Sequence, residues 1–426
     1  MKEAPGSAHA QSIRLGLREN LGQFILLSVT TFWVGWIVGM ERVAVPILGD
    51  NALHIASYVA LLGFIVSFGI TKAPMNFVSG ALADRVGRRP ILLVGWLVAI
   101  PIPFLLIFAP DWSWVVLANL LLGVNQGMTW SMAITSKIDL VGPMNRGFAT
   151  GIDEFAGYGG VSIGGFAGGA LSAIALRTAP YELMLAVLLV AFAMTLVAVR
   201  ETRPWAQLEG RAMPSPVLRE HPPSLWASFR TGTWGDASLG ACAQAGLVEK
   251  FVDTLAWGLL PVFLLERGLS LVVIGGVVAT YTGSWALLQI PFGHLSDRWG
   301  RKPWIVGGMW LAGLGVLVVG FSDSVVGWWV GALLAGTGMA ALYPTLIAAV
   351  SDAAAPARRG AILGVYRFWR DSGYVAAGVL LGFAGDILGL RATFLVTAGL
   401  MGASGFLVAV LLRDHAGASG VVRFGG

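Results

Sequence analysis

Twelve apolar runs of about twenty residues or more decide what this chain can become. They cover 21–47, 56–81, 91–109, 113–138, 147–176 and 181–199, then 237–264, 271–294, 304–321, 325–351, 360–385 and 391–412. Each is long enough, as a helix, to cross a bilayer core of about 30 Å. One folded core cannot absorb them. The chain is 56% hydrophobic and 12% charged, where a soluble domain carries roughly 25% charged residues, and its mean hydropathy is +0.75. The hydrocarbon admits only helices or closed barrels, and these runs lack the alternation of barrel strands. The expectation is an all-α membrane protein with twelve transmembrane helices.

Twelve spans return the chain to its starting side, and Lys and Arg decide which side that is. Nineteen of them fall in the tails and in alternate loops, whereas the opposite loops hold three, Arg177, Arg267 and Arg391. The positive-inside rule puts the nineteen, and with them both termini, in the cytoplasm of an inner or plasma membrane. The net charge of +5 is therefore topology and lipid contact, not a nucleic-acid surface. The first run is too long for a signal-peptide core and contains Glu41 and Arg42, so it reads as a retained span. The single cysteine, Cys242, excludes an internal disulfide framework and a cysteine zinc cluster. The five histidines are scattered, no GxxxxGK[ST] phrase occurs, and no nucleophile–base pair stands out. No cofactor, metal, ATP or enzymatic activity is expected.

The chain also says one thing twice. Residues 80–90 read GALADRVGRRP and residues 293–303 read GHLSDRWGRKP, 213 positions later in a chain of 426. The same shift sets Gly123 on Gly336, Asp139 on Asp352, Pro143 on Pro356, Arg146 on Arg359, Gly151 on Gly364 and Phe155 on Phe368. The second half therefore repeats the first, and because six spans is an even number the repeats are parallel. The expected layout is a tail (1–20), a six-helix bundle (21–199), a linker (200–236) whose prolines oppose regular structure, a second bundle (237–412) and a tail (413–426). Residues 224–230, SLWASFR, suit a short helix lying on the membrane surface.

With these residues in place the chain resembles the major facilitator superfamily of secondary transporters over nearly its whole length. The resemblance is carried by Gly80, Asp84, Arg85, Gly87, Arg88 and Arg89 after span 2, and by Gly293, Asp297, Arg298, Gly300, Arg301 and Lys302 after span 8. It implies two bundles that rock about a central site, and a cytoplasmic gate in which Asp84 meets the start of span 11 near Arg359. The repeat then sets Asp297 against the start of span 5 near Arg146, with Asp139 and Asp352 completing the gate. An acid at a helix C-terminus is unfavourable unless compensated, so Arg88 is a further candidate partner of Asp84.

Eleven ionisable residues fall inside spans: Glu41, Arg42, Lys72, Asp153, Glu154, Glu249, Lys250, Asp253, Arg367, Arg370 and Asp371. At about 2.5–3.5 kcal/mol each on the mildest scale, facing lipid would cost them some 30 kcal/mol together. They are expected to face a wet cavity or one another. Glu249 and Asp253 share a face of span 7, and Arg367 can pair with Asp371 four residues on. Lys137 lies near enough to a helix end to snorkel. Glu249 and Asp253, then Glu41, then Asp153 and Glu154, are the candidate proton carriers. Arg42, Lys72, Lys250, Arg367, Arg370 and Asp371 are candidate solute contacts, joined by the repeat-equivalent Trp130 and Tyr343.

Residues 160–171, GVSIGGFAGGAL, look like the glycine motif of the family's proton-driven antiporters, although Gly165 stands where that pattern has proline. Ordinary tight packing explains them equally well. The basic residue that drug–proton antiporters carry in span 4 is also missing near Gly123. The reading is a proton-coupled secondary transporter of a small solute, with export ahead of uptake. The alternatives are proton-coupled uptake of an organic anion, held by Arg367, Arg370, Lys72 or Arg42, and a transporter-like sensor or scaffold. The partners expected are a small-molecule solute, protons and lipid. The charge bias predicts that a fluorescent protein fused to either terminus will fluoresce inside the cell, and that alkaline phosphatase fused there will stay inactive.

Overall fold

Helices form at every apolar run. In the first half they are α1 (Leu21–Ile47), α2 (Gly63–Val86), α3 (Arg88–Ala99, continued by Pro101–Ile107), α4 (Trp112–Val141), α5 (Arg146–Ala175) and α6 (Ala179–Ala198). In the second half they are α7 (Ala237–Thr254, continued by Leu260–Leu265), α8 (Leu271–Trp299), α9 (Lys302–Phe321), α10 (Val325–Ala353), α11 (Arg359–Leu388) and α12 (Leu390–Leu411). The structure, a computed structural model, describes residues 13–141, 146–212, 225–354 and 359–413. Among the described residues ten helices are long and apolar enough to cross a membrane unaided. The other two, α4 and α7, put their polar side chains inside the protein: Asn119, Asn125, Gln126 and Lys137 are buried on α4, and Glu249, Lys250 and Asp253 on α7.

Local chemistry fixes where helices bend and stop. Between its two parts α7 widens into a π-type turn over Leu255–Leu259. Pro261 lacks an N–H and its ring opposes the carbonyl of Trp257, at the middle of that turn. Both α2 and α8 run five residues past their expected ends, carrying Asp84 and Asp297 within helix. They stop at Gly87 and Gly300, whose φ values of 99° and 87° favour glycine. The two glycines are repeat partners. The expected irregular linker is also partly wrong, because Arg203–Ala212 is helical. Pro204 sits in its first turn, where a missing N–H costs nothing. Leu225–Arg230 forms the short helix expected near 224–230.

Each half packs by the same rule. A Cβ on Gly123 would lie 2.0 Å from Thr71 Oγ1 and 2.4 Å from the Phe68 carbonyl, so α4 runs directly against α2. A Cβ on Gly336 would likewise lie 2.0 Å from Ser284 Oγ and 2.1 Å from the Tyr281 carbonyl, so α10 runs directly against α8. All three residues are related by the 213 shift. The glycine run of α5 faces two helices at once. Gly160, Gly164 and Gly168 press on the backbone of α1 at Phe32, Trp36 and Met40, while Gly169 meets Gly275 of α8. Small residues allow such close approach.

The bundles meet chiefly along α5 with α8 and α2 with α11. Toward the face opposite the termini these pairs are shut: Gly382 packs on Val59, Gly385 on Tyr58, and Asp386 accepts hydrogen bonds from Ser57 Oγ at 2.7 Å and Tyr58 N at 2.6 Å. Toward the terminal face they part, and among the described residues nothing lies within 4 Å of a Cβ built on Gly80, Gly151 or Gly364. A cleft therefore opens on the terminal side alone. Replacing Gly123 or Gly336 by Leu is predicted to lower the unfolding midpoint in detergent, by about 1–3 kcal/mol or more of stability. The same change at exposed Gly80 leaves it within error.

Candidate functional site

The cleft ends at mid-membrane in a cavity with about 680 Å³ of empty space, its open mouth included. The first bundle contributes Arg42, Phe68, Lys72, Asn76, Gln126 and Trp130, together with Ser131, Glu154 and Tyr158. The second contributes Tyr343, Tyr366, Arg367, Arg370, Asp371 and Tyr374. On α11 these follow one helical face, because 366, 370 and 374 are four apart. Seven of the eight sequence candidates for solute contact thus line one cavity. Lys250 lies directly behind it, fully buried.

Polar bonds cross between the bundles all round this cavity. Arg42 Nη1 of α1 donates to Asp253 Oδ1 of α7 at 2.7 Å, with both side chains shielded from solvent. Asn76 of α2 donates to Asp371 of α11 at 2.5 Å, and Arg370 to the Tyr158 hydroxyl of α5 at 3.2 Å. The Tyr343 hydroxyl of α10 donates to Glu154 of α5 at 3.0 Å. Within the second bundle Arg370 Nε holds Glu249 Oε1 at 2.5 Å. Lys250 Nζ lies 3.2 Å from Asp253 and 3.7 Å from Glu249, and the Tyr374 hydroxyl donates to Asp253 at 2.6 Å. Burial of these charges is tolerable because each of those just named finds a partner.

Aromatic rings wall the cavity and close its floor. Tyr158 stacks on Trp285 with centroids 3.9 Å apart, and Trp257 sits edge-on to Phe68 and Tyr374. Lys72 Nζ lies 5.2–5.8 Å from the ring centroids of Phe68, Trp130 and Tyr374.

Three sequence expectations are corrected here. Arg367 does not pair with Asp371; Arg370 takes that contact at 3.4 Å, leaving Arg367 at the cavity wall. Lys137 does not snorkel. It is fully buried and bridges Asp153 and the Thr31 hydroxyl within the first bundle, because α4 runs on to Val141 and puts the ammonium well inside. Nor does every intramembrane charge reach a cavity or a counter-charge. Glu41 is fully buried near Asn119 and Tyr181, and neither carboxyl oxygen has a hydrogen-bond partner among the described residues.

At the terminal face Arg88 Nε pairs with Asp139 at 2.8 Å, and 213 positions on Arg301 Nε pairs with Asp352 at 3.0 Å. Asp297 joins Arg301 at 2.5 Å, and its expected partner at the start of α5, Arg146, has its side chain outside the described residues. The Thr202 hydroxyl also donates to Asp139. Glu201 accepts from the N–H groups of Arg88 and Arg89 at 3.0 Å each and so caps α3. Arg85 and Arg298 are exposed, and a Cβ built on Gly293 would sit 4.0 Å from Pro344 Cβ, in ordinary contact. The side chains of Asp84, Arg146 and Arg359 lie outside the described residues.

The sequence model of the Major Facilitator Superfamily matches residues 25–249 and 245–425. The chain belongs to that superfamily. Inner membrane transport protein YajR of Escherichia coli K12 is 34% identical over 123 residues, covering 29% of this chain and 26% of that protein. Multidrug resistance protein MdtG of Dickeya zeae is 27% identical over 376 residues, 86% of this chain and 87% of that one. The crystal structure of nucleoside transporter NupG superposes with a TM-score of 0.72 at 13% identity, over 92% of this chain and 99% of NupG. The protein is therefore a multi-pass membrane transporter of the superfamily's two-bundle fold and not an enzyme.

Phe68, Asn76, Gln126, Ser131, Tyr158, Tyr366 and Tyr374 were not singled out by sequence. The three tyrosines carried a signal, since two lie one turn either side of Arg370 and Tyr158 lies one turn from Glu154. The Lys137–Asp153 pair gives a direct test of buried-charge energetics. Lys137→Met is predicted to cost about 3–5 kcal/mol by stranding Asp153. Lys137→Met with Asp153→Leu recovers most of that loss, as read from unfolding midpoints in detergent.

Proposed function

We propose that this protein exports a small solute across the inner membrane by alternating access, coupled to protons. The observation that carries the reading is a polar cavity, open to one face only, whose walls are joined by hydrogen bonds and ion pairs running between two repeat-related bundles. Such contacts can be exchanged for solute contacts and re-made when the bundles rock. The nineteen Lys and Arg that the sequence puts in the tails and alternate loops support a cytoplasmic orientation for the terminal face and for the open mouth. Outward movement is supported by the likeness to MdtG, named for multidrug resistance.

Glu154 is the preferred proton carrier. It lines the cavity, bonds across the bundle interface to the Tyr343 hydroxyl, and has no cation within ion-pair distance among the described residues. Glu249 and Asp253, preferred from sequence, are engaged by Arg370, Arg42 and Lys250 in this conformation. Asp153 is engaged by Lys137. Glu41 is the second candidate, acting through the first bundle and not through the cavity. When the far face opens, the terminal cleft closes, and the gate brings Asp84 toward the start of α11 and Asp297 toward the start of α5. Arg88–Asp139 and Arg301–Asp352 keep each loop folded against its own bundle meanwhile.

Proteoliposomes with an imposed pH gradient, offered a panel of anionic, neutral and cationic solutes, test this. Accumulation of a solute against the direction of proton flow is expected. Glu154→Gln should abolish that accumulation while solute exchange at equal pH persists. Accumulation in the same direction as the protons would make the protein an importer, and flux indifferent to both the gradient and Glu154 would overturn proton coupling.

A further inference from the structure

The charges at the cavity do not balance. Arg42, Lys72, Lys250, Arg367 and Arg370 line it or lie directly behind it, against Glu154, Glu249, Asp253 and Asp371. Arg42 and Arg370 each hold a carboxylate of their own, Asp253 at 2.7 Å and Glu249 at 2.5 Å. Lys250 shares those same two acids. Asp371 is divided between Arg370 and Asn76, and Glu154 accepts from Tyr343. Lys72 of α2 and Arg367 of α11 are left over. Both line the cavity, from opposite bundles, and neither has a carboxylate within 4.0 Å among the described residues.

While the cleft is open, water solvates these two cations. Occlusion removes that water, and an uncompensated positive charge in a dry cavity is strongly unfavourable. A bound anion restores neutrality. The aromatic walls then specify the remainder of the solute: Phe68, Trp130 and Tyr374 surround Lys72, and the rings of Tyr158 and Tyr343 face the same space. Gln126 adds a buried side-chain oxygen with no partner among the described residues, free to accept from a solute N–H or O–H.

We propose that the solute is a small organic monoanion with a planar, apolar body, its charge held between Lys72 and Arg367 and its body lying against Trp130 and Tyr374. The inference rests on the cavity being the transported solute's site. An inside-negative membrane potential drives such a solute outward.

Two isosteric series test it on the purified full chain in detergent: benzoate, benzamide and benzylammonium, and indole-3-acetate, indole-3-acetamide and tryptamine. Thermal stabilisation reads both series, and quenching of tryptophan fluorescence reads the benzene series. In at least one series the carboxylate should bind about tenfold or more tighter than its amide, as expected for a charge-assisted contact, and the amine should bind weakest. Lys72→Gln and Arg367→Gln should each erase most of the carboxylate's advantage over its amide, in samples that still unfold cooperatively. Equal or tighter binding of the amide or amine in both series overturns the proposal, and so does silence from all six compounds in a folded sample. Gradient-driven flux of a cation overturns it but leaves transport standing. Carboxylate binding without gradient-driven flux of that carboxylate does the reverse.

Discussion

Everything in this structure depends on two bundles being joined through hydrogen bonds and ion pairs at the depth where a membrane is driest. Apolar packing alone would fuse α2 to α11 and α5 to α8 along their whole lengths, and it does so on the far side, where glycines bring the backbones together. At mid-depth the character changes. Arg42–Asp253, Asn76–Asp371, Arg370–Tyr158 and Tyr343–Glu154 all run from one bundle to the other. A hydrogen bond between side chains is lost at little net cost when water or a solute replaces the partner. Interdigitated side chains offer no such exchange. The interface is therefore rigid within each bundle and renegotiable between them.

That division explains which charges belong to the scaffold. Lys137–Asp153 lies wholly inside the first bundle, and Arg88–Asp139 and Arg301–Asp352 lie at the terminal ends of their own bundles. None of these needs to break for the bundles to rock. The glycine run of α5 belongs to the same scaffold. It seats α5 against α1 and α8 whatever the direction of transport, so its pattern carries little information about direction.

The fold was legible in the sequence because hydrophobic length and a 213-residue echo are properties of single positions. Eleven of twelve helices begin within three residues of the apolar run that announces them. The exception is α2, where a separate turn at Tyr58–Leu61 precedes Gly63. The site was legible as a set and not as a wiring diagram. Seven candidates line the cavity, yet spacing on one helix paired Arg367 with Asp371 when the guanidinium beside Asp371 was Arg370. Lys137 was discounted for its place in the run, a judgement that requires knowing where α4 ends. Tyr158 was overlooked because its importance lies in Trp285 and Arg370, 127 and 212 residues away. Partners across an interface are not written in either helix.

The repeat shows where symmetry was kept and where it was abandoned. The shift that maps Gly123 onto Gly336 and Arg88 onto Arg301 also maps Lys72 onto Trp285 and Tyr158 onto Asp371. Tyr158 of α5 stacks on Trp285 of α8 at one bundle contact. The equivalent positions at the other contact are Lys72 of α2 and Asp371 of α11, which face each other electrostatically beyond ion-pair distance. One architecture thus holds an aromatic stack on one side and a loose pair of opposite charges on the other. The stack is indifferent to protons and ions. The charged side carries an ammonium and a carboxylate with no ion pair between them among the described residues. A carrier built from two identical halves would answer a charged solute equally at both contacts. This one can respond at α2–α11 while α5–α8 holds the bundles together as they turn.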